Sequence, residues 1–277
     1  LRWLAWGMVL ASLALALFAL VSVQWVTSSK LPFIPAGLYA HLPTLVIDTA
    51  NPNVMAGSLA ILLPVIAALV LFGWGKLRQL EMVILALFAV VVSIVLVLTQ
   101  SRGGFMGLGM ALVTLVVLRW RRGWLLVVGM LGVLAALAIG LGAGSLLNYA
   151  LASTTLGGVE GRVEVWSRAV YMIQDFPFTG VGLGNFGRVA DLLYPFFQYT
   201  PGTMEHSHNL FLQIAVDLGL PGLITWLAIW GLHSALSWQI YHQGQRSGDA
   251  WMAGLGAGLF ASQLALIVHG QVDAVVQ

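Results

Sequence analysis

Across 277 residues, 60% are hydrophobic and only 8% carry a formal charge, where soluble domains carry roughly 25%. So few charges cannot cover a globule of this size with polar surface, which excludes a water-soluble fold and makes lipid the natural solvent. A net charge of +2 with no basic run interleaved with aromatics excludes nucleic acid as a partner, and the lack of Cys excludes disulfides, thiolate metal sites and cysteine nucleophiles together.

A bilayer core takes roughly 20 apolar residues per helix. In chain order such runs fall at residues 3–23, 55–72, 82–98, 105–118, 124–141, 210–232 and 250–268. Pro64 lies inside the second and predicts a kink. The fourth is short, and Gly103 and Gly104 can extend it. In the seventh, Gly254, Gly256 and Gly258 permit close helix packing. The expectation is an all-α polytopic membrane protein, a single transmembrane domain over residues 1–277 with about seven helices. The sequence opens on Leu1 rather than Met and stops at Gln277 without a tail, which predicts an excerpt of a longer protein.

Lys and Arg in short connections set the orientation. Lys76 and Arg78 follow the second span, while Arg119, Arg121 and Arg122 follow the fourth. Parity places both loops on one side, the cytoplasmic one, and Arg2 and Arg246 fall there too. The opposite face receives residues 24–54, the tight turn 99–104 and the segment 144–207, an extracytoplasmic loop inserted between spans five and six. Loops of that length are often functional. Within it, residues 163–174 read as an amphipathic helix whose apolar stripe, Val163, Trp166, Val170 and Ile173, suits the bilayer surface. Asp175-Phe176-Pro177-Phe178 ends that helix, and Gly180, Gly182 and Gly184 make a flexible turn.

Three places on the outer face can carry chemistry. Ser101-Arg102-Gly103-Gly104 sets an Arg between two hydrophobic helices, at a cost of a few kcal/mol without a partner or water. The glycines would admit an anion to the backbone, although an Arg snorkelling to lipid headgroups explains the motif as well. Gly161-Arg162 with Trp166 opens the amphipathic helix, where Glu160 and Glu164 make a solvated ion-pair cluster the plain alternative. Glu205-His206-Ser207-His208-Asn209 stands before span six, with Asn209 or Ser207 able to cap it. A His at a helix N-terminus feels the positive end of the dipole and tends to be neutral, as a general base must be. His-x-His is also a possible metal-ligand pair, but no further His or Cys lies near, and no metal site or cofactor is expected. Asp217 falls on the opposite helix face from His208 and is not paired with it. His41, His233, His242 and His269 read as interfacial residues. With no phosphate loop, no paired aspartates and no nucleophile elbow, anionic charge must be met by Arg. Two arginines suit a diphosphate through bidentate bonds, and a neutral His suits activation of a hydroxyl attacking beside it.

Ser101-Arg102-Gly103, Gly161-Arg162 with Trp166, the stretch from Asp175 through Gly180 to Phe186, and His206-Ser207-His208-Asn209 followed by Gly219 and Gly222 together resemble the O-antigen ligase/polymerase superfamily. The likeness runs from about residue 50 to the C-terminus, with the family's usual dozen spans incomplete. It implies a GT-C-like, metal-independent, inverting glycosyltransferase of the bacterial inner membrane. Such an enzyme moves a glycan from an undecaprenyl-diphosphate carrier to a glycan or lipid-glycan acceptor on the periplasmic face. Carried over by motif, Arg102 and Arg162 would bind the diphosphate with Ser101 beside them, and His208 would activate the acceptor hydroxyl. Asn209 would orient it, Arg168 or Arg188 would assist with the glycan, and His206 would join the substrate contacts. Arg102, Arg162 and His208 are then expected to converge on one cavity. A polymerase or a protein O-glycosyl ligase shares these features, and a small-anion transporter is the rival from another class, predicting ionisable groups at mid-membrane such as Asp217 near Gln263.

Overall fold

A computed structural model describes residues 1–25, 34–43, 45, 49–140 and 159–273, apart from the side chains of 36, 40, 134, 137, 138, 159 and 160. The first part of the long outer loop, 144–158, and residues 26–33, 44 and 46–48 of the loop after the first span lie outside the described residues, as does the Glu160 side chain expected beside Arg162.

The helices are α1 (Arg2–Ser22), α2 (Ala36–Ala40), α3 (Pro52–Gly73), α4 (Gln79–Leu98), α5 (Arg102–Arg119), α6 (Gly123–Gly140), α7 (Val159–Asp175), α8 (Phe186–Leu193), α9 (Leu210–Ser247) and α10 (Ala250–Gly270). No strand occurs among the described residues, where one isolated bridge pairs Val23 with Ala50. Among the described residues six helices, α1, α3, α4, α5, α9 and α10, are long and apolar enough to cross a membrane. α6 stands where the fifth of the seven expected spans falls, and its apolar run Gly123–Val133 is shorter than a full crossing. The protein is an all-α polytopic membrane protein. Helix starts are marked by side-chain caps: Asn51 accepts from the Asn53 N–H ahead of α3, and Asp249 accepts from Trp251 and Met252 ahead of α10.

The chain divides into two compact units, Leu1–Arg119 with Trp230–His269, and Trp120–Ile229 with Gly270–Gln277. Within the first, α1 inverts the burial pattern of a soluble protein. α1 turns Ala5, Val9, Ser12, Ala16 and Ala19 inward and leaves Trp3, Leu10, Leu17 and Phe18 exposed. In lipid the large apolar side chains meet solvent of their own kind, so small residues are free to bring backbones together. α3 is the central element, packed by α1, α4 and α5. The glycine stripe of α10 works as its spacing implies. A Cβ on Gly258 would meet the Val65 Cα of α3 at 2.6 Å, and one on Gly256 would meet the Tyr241 N at 2.3 Å. His269, expected at the membrane interface, is instead fully buried, with its Cβ against Gly107; the missing side chain there makes the room.

The second unit has a small core of its own. Val165, Ala169 and Met172 of α7 pack with Phe186 and Ala190 of α8, Tyr199, and Val216 of α9. α7 thus carries two apolar faces: the inward one of smaller residues, and the expected stripe, in which Val163 and Val170 are exposed while Ile173 rests against the core. The greatest departure is α9. Instead of one span over 210–232, the helix runs 38 residues and breaks at Gly219, whose φ of 70° and ψ of −179° leave the helical region, with Pro221 just beyond. Carbonyls and N–H groups freed by the break are taken up by the loop after α7. Val181 N–H donates to Val216 O at 2.7 Å, Gly182 N–H to Asp217 O at 3.0 Å, and Leu220 N–H to Pro177 O at 2.7 Å.

Candidate active site

The turn before α9 is held by a chain of buried polar contacts. Asn209 caps the helix, its Oδ1 accepting from Phe211 and Leu212 N–H at 3.0 and 3.1 Å, while its Nδ2 donates to Gln271 O at 3.2 Å. Ser207 is fully buried; its hydroxyl donates to Asn209 O, and its N–H donates to Gln213 Oε1 at 2.7 Å. Gln213 Nε2 in turn donates to Asp217 Oδ1 at 2.9 Å. Of the two expected caps, Asn209 is the one used. Gln213, which sequence reading passed over, is the brace that ties the turn to the kink of α9. Its only signal was a lone amide between apolar neighbours one turn after Asn209.

Against this scaffold His208 stands in the left-handed region at φ 52°, a conformation that costs a non-glycine residue about 1–2 kcal/mol. Gln100 is the other such residue among those described, at φ 51°. It sits in the α4–α5 turn directly before Ser101 and Arg102, buried, with its amide donating to the Tyr39 hydroxyl. His208 thus falls inside one of the motifs singled out for chemistry and Gln100 directly precedes another, and strain of this kind concentrates at functional sites.

His208 Nδ1 lies 3.3 Å from Oδ1 of Asp273, a residue 5% exposed in the segment after α10. Neutral His208 can donate Nδ1–H to that carboxylate and keep Nε2 free as a proton acceptor. His206 stacks edge-on against His208 with ring centroids 4.1 Å apart, and its Nδ1 accepts the His208 N–H at 3.2 Å. Burial, with the His208 ring beside it, pushes the His206 pKa down to about 4, and Asp273 opposes this only in part. His206, His208 and Asp273 each offer a donor atom within 4.8 Å of the others, a spacing a metal ion could gather. His206 Nδ1 is already engaged by a backbone N–H, so its proton sits on Nε2, and the arrangement drawn is a hydrogen-bonded triad.

The remaining expected residues are placed as follows. Ser101 is buried and caps α5, its Oγ accepting from Gly104 N–H at 3.3 Å, which leaves Arg102 exposed as the first residue of that helix. Arg162 is half-buried on α7, within electrostatic reach of Tyr199. Arg168 is engaged structurally: it pairs with Glu164 at 3.5 Å, donates to Pro195 O at 3.2 Å and lies over the Phe197 ring. Glu164 also accepts from Phe197 and Gln198 N–H, so this pair clamps the 195–198 segment to α7. Arg188 is exposed on α8. The structure thus brings together His206, His208, Asn209 and Asp273 within one unit; Arg162, Arg168 and Arg188 belong to that unit, and Ser101 and Arg102 to the other.

A family model described as O-antigen ligase matches residues 87–227, just over half of the chain. The chain belongs to the O-antigen ligase family. An O-antigen ligase of Pseudomonas aeruginosa is 31% identical over 147 residues, covering 52% of this chain and 32% of that protein. The chain therefore aligns with about a third of the length of this relative. The family match contains both strained residues, Gln100 and His208, and α7 through the kink of α9, and Asp273 lies beyond it.

Proposed function

We propose that this chain carries the catalytic centre of an O-antigen ligase-type glycosyltransferase in the bacterial inner membrane, facing the periplasm. The observation that carries the reading is His208, held at positive φ between Asp273 and a capped helix start, with 29% of its side chain open. The donor is an undecaprenyl-diphosphate-linked glycan and the acceptor a sugar hydroxyl. His208 Nε2 takes the hydroxyl proton as the acceptor oxygen attacks the anomeric carbon from the face opposite the diphosphate, so the configuration inverts. The bond from that carbon to the diphosphate oxygen breaks, and undecaprenyl diphosphate leaves with the electron pair. Arg102 and Arg162 neutralise the charge that gathers on it, and Asp273 stabilises the imidazolium until its proton returns to water. No metal is needed, because the two guanidinium groups supply the positive charge. The lipid-facing groove of about 470 Å³ along α4, lined by Ile34, Pro35, Leu38, Val90, Ile94 and Val97, offers the polyprenyl chain an apolar bed leading toward the Arg102 turn.

The test is transfer from an undecaprenyl-diphosphate donor in proteoliposomes, with EDTA throughout. General-base catalysis contributes about 100- to 10,000-fold, so His208→Ala is expected to lower kcat by at least about 100-fold. Arg102→Ala and Arg162→Ala should raise the donor KM and lower kcat together, and Asp273→Asn should lower kcat with KM unchanged. Undiminished transfer by folded His208→Ala protein would overturn the assignment. An absence of transfer with every lipid-linked donor would point instead to anion transport.

A further inference from the structure

We propose that His206 is a positioning residue: its ring fixes the backbone of His208 in the left-handed conformation that aims the base, rather than touching the acceptor sugar. This rests on the reading of His208 as the base.

A residue in the left-handed region needs its freed N–H satisfied. For His208 the partner is His206 Nδ1 at 3.2 Å, two residues back. That is the geometry of an Asx turn, with an imidazole nitrogen in place of an amide oxygen. The intervening Ser207 is fixed at both ends, its N–H on Gln213 and its hydroxyl on Asn209 O, so the turn has no slack of its own. His206 is 9% exposed, with its ring edge-on to that of His208 at 4.1 Å, while His208 has 29% of its side chain open. A residue so covered is poorly placed to meet a sugar, and its accepting nitrogen is already spent on the backbone. Coordination of a metal through Nδ1 would break the bond that holds His208, and coordination through Nε2 would require a proton on Nδ1 facing the His208 N–H. Asp273 constrains the His208 ring from the other side at 3.3 Å. Backbone and ring of the base are therefore set by two different neighbours.

The ring atom that matters predicts which substitutions are tolerated. Asn Oδ1 occupies nearly the place of His Nδ1, whereas Gln Oε1 reaches one bond further and Leu offers no acceptor. The experiment compares His206→Asn, His206→Gln and His206→Leu with wild type and His208→Ala in lipid-linked glycan transfer, with EDTA and with folding checked by thermal unfolding. His206→Asn is expected to keep transfer close to wild type. His206→Gln and His206→Leu are expected to lose about 100-fold in kcat, the scale of a 1 Å misplacement, with the KM values of donor and acceptor little changed. Should His206→Leu fail to fold, the Asn and Gln pair decides. Loss in His206→Asn equal to that in His206→Gln would overturn the proposal, because the ring itself would then be required. A raised acceptor KM at unchanged kcat in the Gln and Leu variants would overturn it in favour of sugar binding. Full activity in all three would overturn it as well. Retained activity in His208→Ala would instead sink the reading of the base, a separate result.

Discussion

His206 links the site to folding through its protonation. Its pKa is depressed to about 4 in the fold, against about 6.5 in an unfolded chain. Between those values the unfolded state binds the extra proton, so stability is full above about pH 6.5 and falls as pH drops toward 4. The groups facing the ring are His208 and Asp273, and only the latter opposes the shift. A difference of this size corresponds to about 3 kcal/mol at the acid end. Thermal unfolding of the wild type between pH 7 and pH 4 should show that loss, and His206→Asn should flatten it; an unchanged slope would show that other groups set the acid limit. Tyr194 fixes the end of α8 in a similar local way. Its hydroxyl donates to Asp175 at the end of α7, and partial burial with that bond pushes its pKa up to about 12, so it stays protonated throughout the working range. Arg168, expected to assist with the glycan, pairs with Glu164 on its own helix, donates to the Pro195 carbonyl and lies over the Phe197 ring.

At the scale of the element, α9 is where local sequence and tertiary structure diverge. Gly180, Gly182 and Gly184 read as a flexible turn, and all three do adopt positive φ. At Gly180 the reason is close docking rather than looseness. A Cβ on Gly180 would sit 2.5 Å from the Asp217 carbonyl, and one on Gly219 would sit 2.7 Å from that of Phe178. The loop and the broken turn of α9 thus exchange backbone hydrogen bonds at a separation only glycine allows. Gly180→Ala and Gly219→Ala should each destabilise the protein by about 1–3 kcal/mol, read as a lower unfolding midpoint, with loss of transfer because the kink anchors the His208 turn through Gln213. Gln213→Ala tests that link directly. It leaves the buried Ser207 N–H without its acceptor, at about 1–3 kcal/mol, and should lower kcat even where the protein remains folded. Wild-type kcat in folded Gln213→Ala protein would show that the brace does not reach the base.

For the whole molecule, lipid as solvent explains both the composition and the packing. Large apolar side chains line the outside of α1 while Ala and Ser fill its contacts, and Gly does so on α10, so substitutions that enlarge small residues at such contacts should hurt more than those that trim large exposed ones. Gly258→Leu, driven against Val65, is expected to unfold the protein in detergent or shift its midpoint well below wild type, whereas Leu10→Ala should change it little. The chain contains no Cys, so the proposed orientation can be read with single-cysteine variants. Thr203→Cys should react with an impermeant maleimide added to intact spheroplasts, and Gln79→Cys only after the membrane is opened. The reverse pattern would invert the topology and remove the periplasmic assignment.

Hydropathy alone located the six long apolar helices and their order, because a crossing demands a long apolar run that little else in a sequence imitates. The motif spacing was sufficient for the family, and the glycines of α10 announced their contacts because packing in lipid rests on small residues. What the tertiary structure decided is the site's second half. Asp273 lies far along the chain from His208, and nothing local to either marks the pair. The break of α9 was equally hidden, since Gly219 and Pro221 within an apolar run are compatible with an unbroken span until a neighbouring loop satisfies the freed backbone. The role of His206 rests on a single backbone hydrogen bond, and such a bond exists only once Ser207, Gln213 and Asn209 have fixed the turn that makes it.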